Sequence, residues 1–210
     1  MKTFFNNELH SIGSFLQSWK QEILVIGFAA LFVVLGQYHP IINESLSNLI
    51  YYAVLPVLVI VILLRKNPLD FGFRSGNPGI WFGYVLITIA AAAIILWTAS
   101  LLPSLQKYYT QPQFNLLNYA LTTIVTLFSQ EFLFRGFLLF GLKDRLKEGA
   151  ILVQMIPFVL LHLGKPEIET ISTVITGIYF GWVVYRSKSF WPAYIIHLFI
   201  NCFFVIIVNL

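Results

Sequence analysis

Three otherwise apolar stretches of this chain contain polar residues that hydrocarbon should exclude. The first holds Gln130, Glu131 and Arg135, the second His162, and the third His197 and Asn201. Ionisable groups at membrane depth cost roughly 2.5–3.5 kcal/mol each, so they mark sites that face a protein interior or a water-filled cavity. A carboxylate in such a cavity can act as a general base. Hydrogen-bond donors there stabilise developing negative charge. These residue types together could share one polar site.

Spacing gives the residues geometry. Glu131 and Arg135 are four apart, on one helix face and in the favourable Glu-first order. His197 and Asn201 share that spacing, as do Phe158 and His162. Gln130 is turned about 100° from Glu131, so the two cannot share one role. A rise of about 1.5 Å per residue puts Glu131 about 15 Å from Gly141, and His162 about 20 Å from Gly149. His197 and Asn201 fall about 9 and 15 Å from Trp191. All four lie within one slab of a core about 30 Å thick.

The elements that position them are membrane helices. Of 210 residues, 58% are hydrophobic and 10% charged, against about a quarter charged in a soluble domain. Uncharged stretches run over 23–43, 45–64, 75–106, 108–130, 149–164, 170–185 and 189–210. A span needs about 20 apolar residues, so the expectation is an all-α polytopic transmembrane bundle of about seven spans. The stretches 149–164 and 170–185 are short. Residues 4–18 carry Phe4, Phe5, Leu9, Ile12, Phe15 and Leu16 near one face, which predicts an interfacial amphipathic helix within residues 1–20. It lacks the long apolar core and cleavage site of a signal peptide. The whole chain, 1–210, reads as one integral membrane domain, with no linker or internal repeat.

Charge sets the expected orientation. With the N-terminus inside, Lys2, Lys20, Arg65, Lys66, Arg74, Lys143, Arg145, Lys147, Arg186 and Lys188 face inward, and Lys107 and Lys165 outward. That asymmetry favours a cytoplasmic N-terminus. The net charge of +4 then meets anionic lipid headgroups, not nucleic acid. The single cysteine, Cys202, excludes an intrachain disulfide. Pro56 and Pro157 should kink their spans. Gly177 and Gly181 form a small-xxx-small pair read as helix packing. Trp19, Tyr51, Tyr52, Trp81, Trp97 and Trp191 read as interface anchors. His10 and His39 receive no role.

Gln130-Glu131-Phe132-Leu133-Phe134-Arg135-Gly136 resembles the Glu-Glu-x-x-x-Arg signature of the CAAX-protease and bacteriocin-processing (CPBP, or Abi) family of intramembrane endopeptidases. Phe158-x-x-x-His162 and His197-x-x-x-Asn201 resemble its second and third motifs, in the same order on separate spans. The resemblance covers roughly residues 110–205, a CPBP-like protease core. It implies that position 130 and His162 activate water, that His197 and Asn201 hold the oxyanion, and that Glu131 with Arg135 shapes the site. It implies a peptide or membrane-protein substrate, lipid-modified in some members, cleaved near the cytoplasmic side.

The departure is Gln130, where the pattern has Glu. An amide has no usable basicity, so the expectation is little or no hydrolysis. Gln130 fits an introduced Glu→Gln change, which keeps shape while removing the base. It also fits a natural non-catalytic member, a scaffold or bacteriocin-immunity factor that binds a peptide without cleaving it. A third explanation, Glu131 as base, ranks last because Glu131 points elsewhere and pairs with Arg135. No cofactor is expected. Zinc on Glu131, His162, His197 and Asn201 is the alternative, weakened by the lack of a His-Glu-x-x-His helix and by Asn being a poor ligand. A small transporter or proton path would favour internal repeats, which are missing.

Overall fold

The structure is a computed structural model and describes residues 2–209. The side chain of Lys2, counted above among the inner cations, falls outside that description. Nine long or short α-helical segments and one 3-10 turn, Pro68–Asp70 between the third and fourth, follow one another among the described residues, with no strand. The nine are α1 (Lys2–Ser18), α2 (Lys20–Tyr38), α3 (Glu44–Leu63), α4 (Pro78–Ala99), α5 (Pro103–Tyr109), α6 (Leu116–Leu146), α7 (Gly149–Leu160), α8 (Glu167–Ser187) and α9 (Trp191–Asn209). Six of them, α2, α3, α4, α6, α8 and α9, are long and apolar enough to cross a membrane.

The stretch 149–164 is the exception among the seven expected spans. Its helix, α7, has 12 residues, about 18 Å of rise. A turn containing His162 and Gly164 completes its path to the start of α8. The short helix still joins opposite ends of the bundle, as the bonds at each end show. At one end Arg145 donates to the Ser18 carbonyl (2.8 Å), Gln21 to the Gly141 carbonyl (2.6 Å), and the Asn77 N–H to the Ser187 carbonyl (2.8 Å). At the other, Lys165 pairs with Glu169 (2.8 Å), Tyr109 donates to Glu169 (2.7 Å), and the Gln111 N–H donates to Asn209 (2.8 Å). The first will be called the basic end and the second the far end.

α6 is the central element. It has 31 residues, and every residue from Glu131 to Leu142 is buried. Its middle, Phe132–Leu138, is π-helical, a form that recurs at functional sites. α3 has π-helical segments at Ile50–Val54 and Val59–Leu63, on either side of Pro56. Proline lacks the N–H an α-helical ladder needs, and the wider turns absorb that defect. Asn43 and Asn115 cap α3 and α6 by accepting from the Leu46 and Asn118 N–H groups, each at 2.9 Å.

The small-residue pair does pack. A Cβ at Gly177 would stand 2.8 Å from Met155 Cγ, and one at Gly181 2.6 Å from Gln154 Nε2, so α7 and α8 touch backbone to side chain. Gln154 exploits the approach by donating to the Gly177 carbonyl across the interface (2.8 Å). α1 stands apart, with Phe4, Phe5, Leu9, Ile12, Phe15 and Leu16 all exposed. Its apolar face lacks a protein partner among the described residues.

Candidate active site

Glu131 is fully buried at the middle of α6. Its Oε1 accepts from Arg135 Nη1 at 3.2 Å and from His197 Nδ1 at 2.7 Å. The first bond is the pair expected from the sequence. The second is new: it ties α6 to α9 and makes His197 part of the ion-pair cluster. Arg135 is also fully buried, and its guanidinium carbon lies 4.0 Å from the Phe158 ring centroid. That placement gives the cation an aromatic face as well as a carboxylate.

Phe158 is the hub that the spacing alone did not reveal. Its ring contacts Arg135, stands edge-on to His162 (4.7 Å between centroids) and edge-on to His197 (5.8 Å). Its carbonyl oxygen receives His162 Nδ1 at 2.8 Å. A carbonyl only accepts, so Nδ1 of His162 carries the proton and, in the neutral ring, Nε2 is the free acceptor. The same argument applies to His197, whose Nδ1 faces the Glu131 carboxylate.

Gln130 is half-buried and faces away from this cluster. Its side chain makes no hydrogen bond among the described residues. It lines a cavity of about 510 Å³ together with His162, His197 and Asn201. Glu131 and Arg135 do not line it. The six residues singled out from the sequence therefore divide in two: four on the cavity and two behind it, joined through His197. Asn201 uses one N–H on the His197 carbonyl (3.2 Å), which leaves the second for a ligand.

The cavity has further polar walls. Tyr119, Thr122, Thr123 and Thr126 of α6 lead from the far end toward Gln130. Their spacing of three or four is that of a helix face, so the stripe was legible in principle. Glu44, Ser45, Ser47 and Asn48 of α3, and Lys165 after α7, complete the wall. These could not be assigned from sequence, because only the packing of α3 against α6 brings them there. A second, more apolar pocket of about 230 Å³ adjoins at Asn201, lined in part by Leu96, Leu105, Ile168 and Phe204.

The zinc alternative finds no matching donor set. Among the described residues no three His, Cys, Asp or Glu side chains are grouped to hold a metal. Glu131 Oε1 is already shared by Arg135 and His197, whereas Oε2 has no hydrogen-bond partner among the described residues.

Chemically, the arrangement offers two imidazoles, each engaged at Nδ1, and two side-chain amides around one cavity of about 510 Å³. It also offers a buried carboxylate that fixes one imidazole. Residues 112–203 match the family model described as type II CAAX prenyl endopeptidase, Rce1-like. No curated protein and no solved structure matches the chain. Residues 112–203, which hold all six of the side chains singled out above, are thus similar to the Rce1-like type II CAAX prenyl endopeptidases.

Proposed function

We propose that the chain is an intramembrane endopeptidase whose reaction takes place at the floor of the 510 Å³ cavity. Water sits between Gln130 and His162, and the scissile carbonyl faces His197 and Asn201. Gln130 orients the water without taking its proton, and His162 Nε2 is the acceptor. The second Asn201 N–H donates to the oxyanion, and His197, held at Nδ1 by Glu131, does so when its Nε2 also carries a proton. The single observation that carries this reading is the shared cavity wall of Gln130, His162, His197 and Asn201, two helices and a turn meeting at one space. No metal takes part in this scheme.

Loss of a carboxylate at 130 makes the reaction slow, because a well-placed general base contributes about 10²–10⁴-fold. The substrate is a peptide or membrane-associated protein. A lipid-modified one is in keeping with the family's name, and the apolar pocket beside Asn201 is the feature of this chain that suits it. The protein sits in a prokaryotic cell membrane, its basic end in the cytoplasm by the positive-inside bias. α1 lies in the headgroup region with its exposed apolar face in lipid.

The second reading is a membrane scaffold or immunity factor that binds a peptide without cleaving it, and Gln130 is the observation that favours it. Purified Gln130→Glu protein in detergent, assayed on candidate peptides, separates the two. Cleavage that is lost again with His162→Ala supports the protease. Binding without cleavage in the Gln130→Glu form supports the scaffold.

A further inference from the structure

The cavity lies on one side of the bundle's midpoint. Its floor is Gln130 and His197, and its walls run outward through Tyr119 and Asn48 to Gln37, Pro40, Glu44 and Lys165. Pro40 and Lys165 lie in the turns of the far end, and Gln37 and Glu44 in the helix ends beside them. From Asn115, where α6 begins, to Gln130 is about 22 Å of helix, so the cavity reaches close to half-depth.

The opposite route is closed. Below Gln130 the α6 side chains Phe132, Leu133, Phe134, Phe137 and Leu138 are all buried. Phe73 from the loop after α3 packs on Phe132 (4.6 Å between centroids) and on Phe190 (5.2 Å), and Phe190 also meets Phe128 (5.8 Å). The loop carrying Phe73 is held down by the Phe190 N–H on the Gly72 carbonyl (3.1 Å) and by the Trp191 indole N–H on the Phe73 carbonyl (2.8 Å). An aromatic plug thus separates the cavity floor from the basic end.

Charge then assigns a compartment to each end. The basic end carries Lys20, Arg65, Lys66, Arg74, Lys143, Arg145, Lys147, Arg186 and Lys188, whereas the far end carries Lys107 and Lys165. Short loops with such a bias stay in the cytoplasm. The two expectations drawn from the sequence, a cytoplasmic N-terminus and cleavage near the cytoplasmic side, therefore cannot both hold for this cavity.

We infer that the cavity is served from the side of the membrane opposite the basic loops, and that its substrate is an exported polypeptide or the outward-facing segment of a membrane protein. The word substrate rests on the endopeptidase reading above; the direction of access does not.

Single-cysteine labelling tests the direction. In the full chain with Cys202→Ser, Ser45→Cys places a thiol on the cavity wall and Ser75→Cys one on the exposed loop of the basic end. Bacterial spheroplasts expressing each are treated with a membrane-impermeant maleimide, before and after permeabilisation. The expected result is labelling of Ser45→Cys in intact spheroplasts and of Ser75→Cys only after permeabilisation. The reverse pattern overturns the inference. So does a Ser45→Cys thiol that stays unlabelled in both conditions while a Gln111→Cys marker at the far end labels from outside. None of these outcomes depends on activity, and cleavage by the Gln130→Glu form in detergent is indifferent to sidedness. Failure of the topology and failure of the protease reading are thus told apart.

Discussion

His197 Nδ1 lies 2.7 Å from Glu131 Oε1, although the two residues are 66 positions apart. The bond joins α6 to α9 at the depth of the cavity floor. It fixes one nitrogen of His197, a residue that lines the space shared with Gln130, His162 and Asn201. The carboxylate of Glu131 is fully excluded from solvent, and the place on the cavity wall falls to its neighbour Gln130.

Gln130→Glu is expected to raise peptide cleavage by about 10²–10⁴-fold, the usual worth of a positioned general base. Cleavage rates of the parent and the variant, purified side by side in one detergent, check it. Equal rates would show that position 130 is not where water is activated.

Breaking the buried pair should cost more stability than any change on the cavity wall. Arg135→Met leaves the fully buried Glu131 without its cation, and losing one partner of such a pair typically costs about 3–5 kcal/mol. Thermal unfolding in detergent should show a much lower midpoint for Arg135→Met than for Gln130→Glu. The same variant with Glu131→Gln added should recover part of the loss, because no bare charge remains.

Chelation is expected to leave activity unchanged. The Gln130→Glu form, incubated with excess chelator and then assayed, should cleave at the untreated rate, while His162→Ala in the same background falls to the uncatalysed level. Loss of activity on chelation, restored by zinc, would overturn the metal-free scheme.

The α7–α8 contact should be intolerant of bulk. A side chain at Gly181 would run into Gln154 and Ile151, so Gly181→Val is expected to destabilise by about 1–3 kcal/mol, as overpacking generally does. Gly83 has no neighbour within 4 Å of a notional Cβ, and Gly83→Ala should be neutral in the same melting assay.

Alkaline pH should loosen the far end. Tyr109 donates to both oxygens of Glu169, at 2.8 and 2.7 Å. Burial first, and the Glu169 charge second, push its phenol well above the ordinary tyrosine range. The folded form thus holds the proton more tightly than the unfolded one. Its contribution to stability is full below about pH 10, the unfolded value, and falls as pH rises beyond it. Tyr109→Phe should flatten that part of the stability profile, measured by unfolding between neutral and alkaline pH.

Composition and hydropathy were enough to establish an all-α membrane bundle, because uninterrupted apolar runs of span length satisfy their backbone in lipid as helices, whereas the strands of a barrel alternate. Helical spacing was enough to pair Glu131 with Arg135 and to turn Gln130 away, since both follow from a local period. Contacts between distant helices have no such period. The packing of α6 against α9 decided that His197 serves Glu131. The fold of α7 against α6 decided that Phe158 sits among Arg135 and the two histidines. The length of α7, 12 residues where a full span was expected, came from the turn at His162, which apolar counting passes over. Which end of the bundle the cavity opens to was likewise a tertiary matter: the basic residues name the ends, but only the packed aromatic plug of Phe73, Phe132 and Phe190 closes one of them.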